Sequence, residues 1–167
     1  MNNPRTRGVL FVHSAPKALC PHLEWAAGSA LGHPVSFTWE DQPVLPGTLR
    51  TATPWEGPVG SGATLASALR GWEHLRFEVT EEASPGVDAS RWMHTPDLGV
   101  YFSQMDAAGN TVMSEDRIAY ALEISAGNPR EIEREFYRAL GRAWDEELEP
   151  FRHAGDATSV VWFHRVG

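Results

Sequence analysis

Gly8-Val9-Leu10-Phe11-Val12-His13-Ser14-Ala15-Pro16-Lys17-Ala18-Leu19-Cys20-Pro21-His22 hands a strand over to a helix. Residues 8–13 carry the apolar run Val9, Leu10, Phe11 and Val12, which reads as a buried strand. Residues 14–20 read as a loop. Pro21 suits the first turn of a helix, where its missing N–H costs nothing. That helix runs to about residue 31 with Leu23, Ala26, Ala27, Ala30 and Leu31 along one side. Gly32 ends it and Pro34 prevents continuation.

Working outward, residues 35–40 alternate Val35, Phe37 and Trp39 with polar neighbours, as a half-buried strand does. Residues 48–53 form a short partner strand, and residues 54–62, rich in Pro and Gly, form a loop. A helix over 63–69 and an alternating strand over 74–80 follow. The first half is therefore ordered strand, helix, strand, strand, helix, strand: the ferredoxin-like βαββαβ arrangement, an antiparallel sheet with helices mainly on one face. The class is α+β, and 167 residues fit a single domain over 1–167.

The second half opens with residues 81–98, read as a long surface segment containing Pro85, Gly86 and Pro96. Strands at 99–105 and 111–113 flank the turn Asp106-Ala107-Ala108-Gly109-Asn110. Ser114 can cap a helix from Glu115, although Ile118, Tyr120, Leu122 and Ile124 also alternate as in a strand. Asn128, Pro129 and Glu131 mark the start of a helix. Ile132, Phe136, Leu140, Trp144 and Leu148 then recur every four residues, predicting an amphipathic helix of about five turns closed by Pro150. Val160, Val161, Trp162 and Phe163 predict a last buried strand. The order strand, strand, helix, strand repeats that of residues 35–80, the outline of a ββαβ duplication.

Composition bounds the function. The net charge of −8 opposes binding to nucleic acid or to anionic membranes. The apolar run at Val9 is shorter than the roughly 7–15 residues of a secretory signal, and no window approaches the roughly 20 apolar residues of a membrane span. One cysteine, Cys20, excludes an internal disulfide framework, so a reducing, cytoplasmic setting fits.

Chemistry concentrates at the first strand–helix junction. Ser14, Lys17 (the sole lysine), His22 and, from elsewhere in the chain, His94 are candidates to bind a small anion at a helix N-terminus. Cys20 with His13 or His94 as base is the candidate catalytic pair. His13, Cys20, His22 and His94 could be written as a zinc set, but the Cys20-Pro21-His22 spacing is not a usual zinc spacing, and neither metal nor cofactor is expected. Gly57-Pro58-Val59-Gly60-Ser61-Gly62-Ala63-Thr64 precedes a helix and could cradle an anion, but it lacks the ending of a nucleotide-binding loop, and the reading preferred is a flexible turn with Ser61 or Gly62 capping the helix. Arg130, Arg134, Arg138 and Arg142 make a stripe that glutamates three or four residues away can neutralise, or that an acidic protein could dock on. Seven tryptophans are many for this length. Trp25, Trp39, Trp72, Trp144 and Trp162 fall on predicted elements and read as core. Trp55 and Trp92 fall in predicted loops, where tryptophan often marks a partner surface or a homodimer contact, or equally plugs the end of a sheet.

Four stretches carry a likeness to a known family: residues 8–22 quoted above, Leu75-Arg76-Phe77-Glu78-Val79-Thr80-Glu81-Glu82, His94-Thr95-Pro96-Asp97-Leu98-Gly99 and Glu147-Leu148-Glu149-Pro150-Phe151-Arg152. The chain resembles an uncharacterised actinobacterial family, a domain of unknown function. The resemblance implies a small intracellular bacterial protein and assigns no catalytic residue. The expectation is a non-enzymatic accessory or regulatory protein binding a small anionic ligand or an acidic partner. The competing reading is an enzyme built on Cys20, His13 and Lys17.

Overall fold

A computed structural model describes residues 4–154. In chain order it contains β1 (Arg5–Pro16), a 3-10 turn (Lys17–Leu19), α1 (Cys20–Leu31), β2 (Glu40–Asp41), β3 (Thr48–Pro58), α2 (Ser61–Leu69), β4 (Arg76–Glu81), β5 (Ala89–Thr95), β6 (Gly99–Met105), β7 (Thr111–Val112), α3 (Glu115–Ser125), α4 (Pro129–Ala139) and α5 (Arg142–Arg152). One antiparallel sheet has the order β2-β3-β1-β4-β5-β6-β7. Its first four strands are arranged as in the split βαβ pattern, so the α+β class and the βαββαβ opening hold. The strand expected at 160–163, and with it the closing step of the duplication, lies outside the described residues.

Pairing fixes the two faces. Leu10 sits opposite Val79, and Val12 opposite Phe77. These four join Leu23, Ala27 and Leu31 of α1 and Leu65 and Leu69 of α2 in the main core. The other face carries Glu78 opposite Met93 and Met93 opposite Tyr101. Met93, Tyr101 and Leu148 of α5 form a second, smaller core there, with Trp144 against it. The first two helices thus share one face while α5 lies over the other.

Four local expectations are corrected. Residues 81–98 are not one long surface segment: Ala89–Thr95 is an inner strand between a turn at Pro85 and Gly86, which Ser84 and Val87 close with paired backbone bonds, and a second turn at residues 96–98. Residues 35–39 are not a strand. Their Phe37 N–H is spent on Glu24 of α1, at 3.0 Å, and Glu24 also accepts from Trp39 Nε1 at 2.9 Å. The five-turn helix is two helices: Gly141, at φ 73°, breaks it, while Pro150 sits inside α5 without ending it. Trp25 is not core; on the outer side of α1 it is 75% exposed.

Candidate functional site

The residues gathered by sequence at the first junction are separated by the fold. β1 runs on through Ser14 to Pro16, with a register shift between Val12 and Ala15. His13 therefore turns to the α5 face, whereas Cys20 enters the core beneath α1. The Cys20 thiol donates to the Pro16 carbonyl at 3.7 Å, and burial, with the Glu24 charge, pushes its pKa up, away from the thiolate. Lys17 is exposed and lies 3.6 Å from Asp41. Ser14 is buried and accepts from Arg76 at 3.5 Å, and His22 is exposed on the first turn of α1. His94, stacked on Phe77, shares its Nδ1 with the Leu75 carbonyl at 2.7 Å. Burial lowers its pKa, favouring the neutral ring. Among the described residues, no group of three or more His, Cys, Asp or Glu side chains could hold a metal ion.

The glycine-rich turn does cradle an anion, and the anion is internal. Glu81 of β4 accepts from Gly60 N at 2.7 Å and from Gly62 N at 2.8 Å, capping α2. A side chain at Gly62 would meet Glu81 and Trp92 within 2.7 Å.

The partner-binding candidates also disperse. Trp55 lies on β3 and is 5% exposed, in the core. Trp92 is half-buried on β5, tilted against Phe102 with ring centroids 5.3 Å apart. The arginine stripe is cut by the helix break. Arg130, Arg134 and Arg138 remain on α4, and Arg134 and Arg138 pair with Glu131 and Glu135 at 3.1 Å. Arg142 begins α5, pairs with Glu146 at 2.7 Å and covers the Tyr137 ring.

Two features escaped the sequence reading. The first is a buried ionic cluster under α5. Glu78 Oε2 meets His13 Nε2 at 2.6 Å and Arg152 Nε at 2.9 Å; its Oε1 accepts from Arg91 and Arg152, each at 2.7 Å. Asp145 closes the ring by accepting from both arginines at 2.9 Å. Burial pushes the Glu78 carboxyl up, but the hydrogen bonds and charges of His13 and Arg152 outweigh it and hold the group well below the usual carboxylate range. Every charge in this cluster has a partner among the described residues, so it fastens α5 to the sheet.

The second is a cavity of about 250 Å³ on the opposite face. Ala27 and Leu31 of α1, Leu10 of β1 and Leu65 of α2 form its apolar walls; Val35 and Phe37 close its side. Trp55 lines it too, and the buried Trp55 Nε1 has no hydrogen-bond partner. Arg5, His33 and Glu56 are exposed lining residues and so lie at its mouth. The cavity exists because residues 35–39 are held by Glu24 away from β3 and do not pair with it. The only hint of it in the sequence was the alternation of Val35 and Phe37, which equally describes a strand. A little below the roughly 300–1,000 Å³ typical of ligand sites, it can take only a compact apolar body with one or two polar atoms.

No helix among the described residues is long and apolar enough to cross a membrane. No curated protein and no solved structure matches the chain. Residues 9–165 match the model of the family described as Protein of unknown function (DUF3145), and with nearly the whole chain covered the protein belongs to that family.

Proposed function

We propose that the protein is a non-enzymatic binding protein, accessory or regulatory in role, that holds a small amphiphilic anion in the cavity between α1 and β3. The observation that carries this reading is a cavity with largely apolar walls that has Arg5 and His33 at its mouth. The ligand has an apolar body against Leu31, Val35 and Leu65 and a negative group toward Arg5 and His33. Glu56 at the same mouth disfavours more than one negative charge. Catalysis finds less support, because Cys20 is held as a thiol in the core while His13 belongs to the ionic cluster on the other face. A reducing cytoplasm suits an unpaired Cys20.

Calorimetric titration with 3-phenylpropionate, and in parallel with its uncharged amide, tests this. Binding of the acid in the micromolar to millimolar range is expected, weaker for the amide and for Arg5→Ala. Val35→Trp, which fills the side of the cavity, should lose about tenfold or more in affinity. Absence of heat for either compound up to about 10 mM, together with a native mass spectrum showing no adduct on protein from its own host, would sink the proposal.

A further inference from the structure

Residues 35–39, which close the side of the cavity, lie beside an unused sheet edge. β2 pairs with β3 only at Glu40 opposite Arg50 and Asp41 opposite Leu49. Among the described residues, no strand pairs with that side of β3 beyond Arg50. Continuing the same register sets Trp39 opposite Thr51, Thr38 opposite Ala52, Phe37 opposite Thr53, Ser36 opposite Pro54 and Val35 opposite Trp55. That register suits both faces of the sheet. Thr51, Thr53 and Trp55 oppose Val12, Leu10 and Gly8 of β1, so they share the face of the main core, and Val35, Phe37 and Trp39 would join them there. Ser36 and Thr38, both exposed, would stay outside. The hydrogen bonds fit as well. Gln42 N donates to the Thr48 carbonyl at 3.0 Å, so the even-numbered residues of β3 turn their backbone groups to this edge. Thr38 can exchange both bonds with Ala52, and Ser36 can donate to the carbonyl of Pro54, which has no N–H to return.

A carboxylate oxygen of α1 ties the segment away from that edge. Glu24 Oε1 accepts from Phe37 N–H at 3.0 Å and from Trp39 Nε1 at 2.9 Å. Residues 35–39 thus have two arrangements, one tied to α1 and one extending the β2–β3 ladder, as a hinged closure requires. We propose that residues 35–39 are a gate on the cavity and that Glu24 is its latch. Latched, the segment stands off β3 and the cavity is open. Released, it zips onto β3 from the Glu40 pair onward, and the space between β3 and the side chains of Val35 and Phe37 is lost. Ligand and zipping therefore exclude each other, and the affinity falls in proportion to the zipped fraction. The gate regulates the binding proposed above and so rests on the cavity as the ligand site, but its motion is measurable without a ligand.

Ser36→Cys with Pro54→Cys in the full chain reads that motion. Zipping sets the two side chains opposite each other, close enough for a mild oxidant to bridge. Diamide should form the disulfide, with Cys20 found as a free thiol by peptide mapping. Adding Glu24→Ala should speed its formation about tenfold, and saturating 3-phenylpropionate should slow it about tenfold. The oxidised form should bind 3-phenylpropionate at least about tenfold more weakly than the reduced form of the same variant. Should the cysteine pair fail to fold, hydrogen exchange of the parent and of Glu24→Ala reads the same equilibrium. The Thr38 and Ala52 amides should then be about tenfold more protected in Glu24→Ala. The gate is overturned by the absence of a disulfide, by a rate indifferent to Glu24→Ala or to bound compound, or by an oxidised form that binds as the reduced one does. Equal protection of Thr38 and Ala52 in the parent and Glu24→Ala overturns it too. If no form of the protein binds the compound, the ligand site falls, while the disulfide rate and amide exchange in Glu24→Ala still decide the gate.

Discussion

Glu78 is the residue on which most of the α5 face depends. It lies on β4 between Phe77 and Val79, both in the main core, so alternation alone sends it to the opposite face. From the sequence that face reads as the solvent side, because His74, Arg76 and Thr80 share its parity. Nothing local shows that Arg91 and Arg152, 13 and 74 residues away, converge on its carboxylate. Removing one partner of a buried ion pair costs about 3–5 kcal/mol, because the opposite charges stay buried without compensation. Glu78→Gln should therefore lower the unfolding free energy by that amount in urea titration. Arg134→Glu, on the exposed side of α4, should change it by less than about 0.5 kcal/mol. Equal effects from the two substitutions would mean that the cluster does not fasten α5 to the sheet.

At the scale of elements, the caps of α3 and α4 and the turn at residues 106–110 follow from residue type, and helix lengths do not. Asn128 accepts from Arg130 N, Ser114 accepts from Arg117 N, and Asp106 accepts from Ala108 N and Asn110 N, each where the residue type predicted it. These are contacts between residues two to four apart, so the sequence contains both partners. The long C-terminal helix was misjudged because the spacing Phe136, Leu140, Trp144, Leu148 fits one helix as well as two. Gly141 decides between them. Its φ of 73° is left-handed, and a Cβ there would lie 2.7 Å from the Tyr101 ring. Gly141→Ala should destabilise by about 2 kcal/mol or more, from backbone strain plus the displaced ring. A thermal midpoint equal to that of the parent would mean that α4 and α5 can join without cost.

For the whole molecule, two buried groups make stability fall with acid. Burial lowers the pKa of His94, and the Leu75 bond and the Glu147 charge only partly oppose this. Its contribution is complete above the unfolded value of about 6.5 and fades as pH drops below it. The Glu78 carboxyl is held well below its ordinary range, so its contribution is complete above about 4.3 and is lost on further acidification. In both cases the unfolded chain binds more protons, so stability rises with pH across each window. Urea midpoints measured from pH 8 downward should decline in two stages, and His94→Gln should remove the upper one. A midpoint flat between pH 7 and 5 would contradict the role given to His94. The α+β class, the βαββαβ opening and the caps of α3 and α4 were determined by the sequence alone, because periodicity and capping act between near neighbours and bury what the local pattern marks as apolar. The separation of Cys20 from His13, the filling of the glycine turn by Glu81, the ionic cluster and the cavity beside Trp55 were decided only by the tertiary structure. Each depends on which distant strand or helix arrives at a given face, and a burial pattern with period two or 3.6 does not encode that choice.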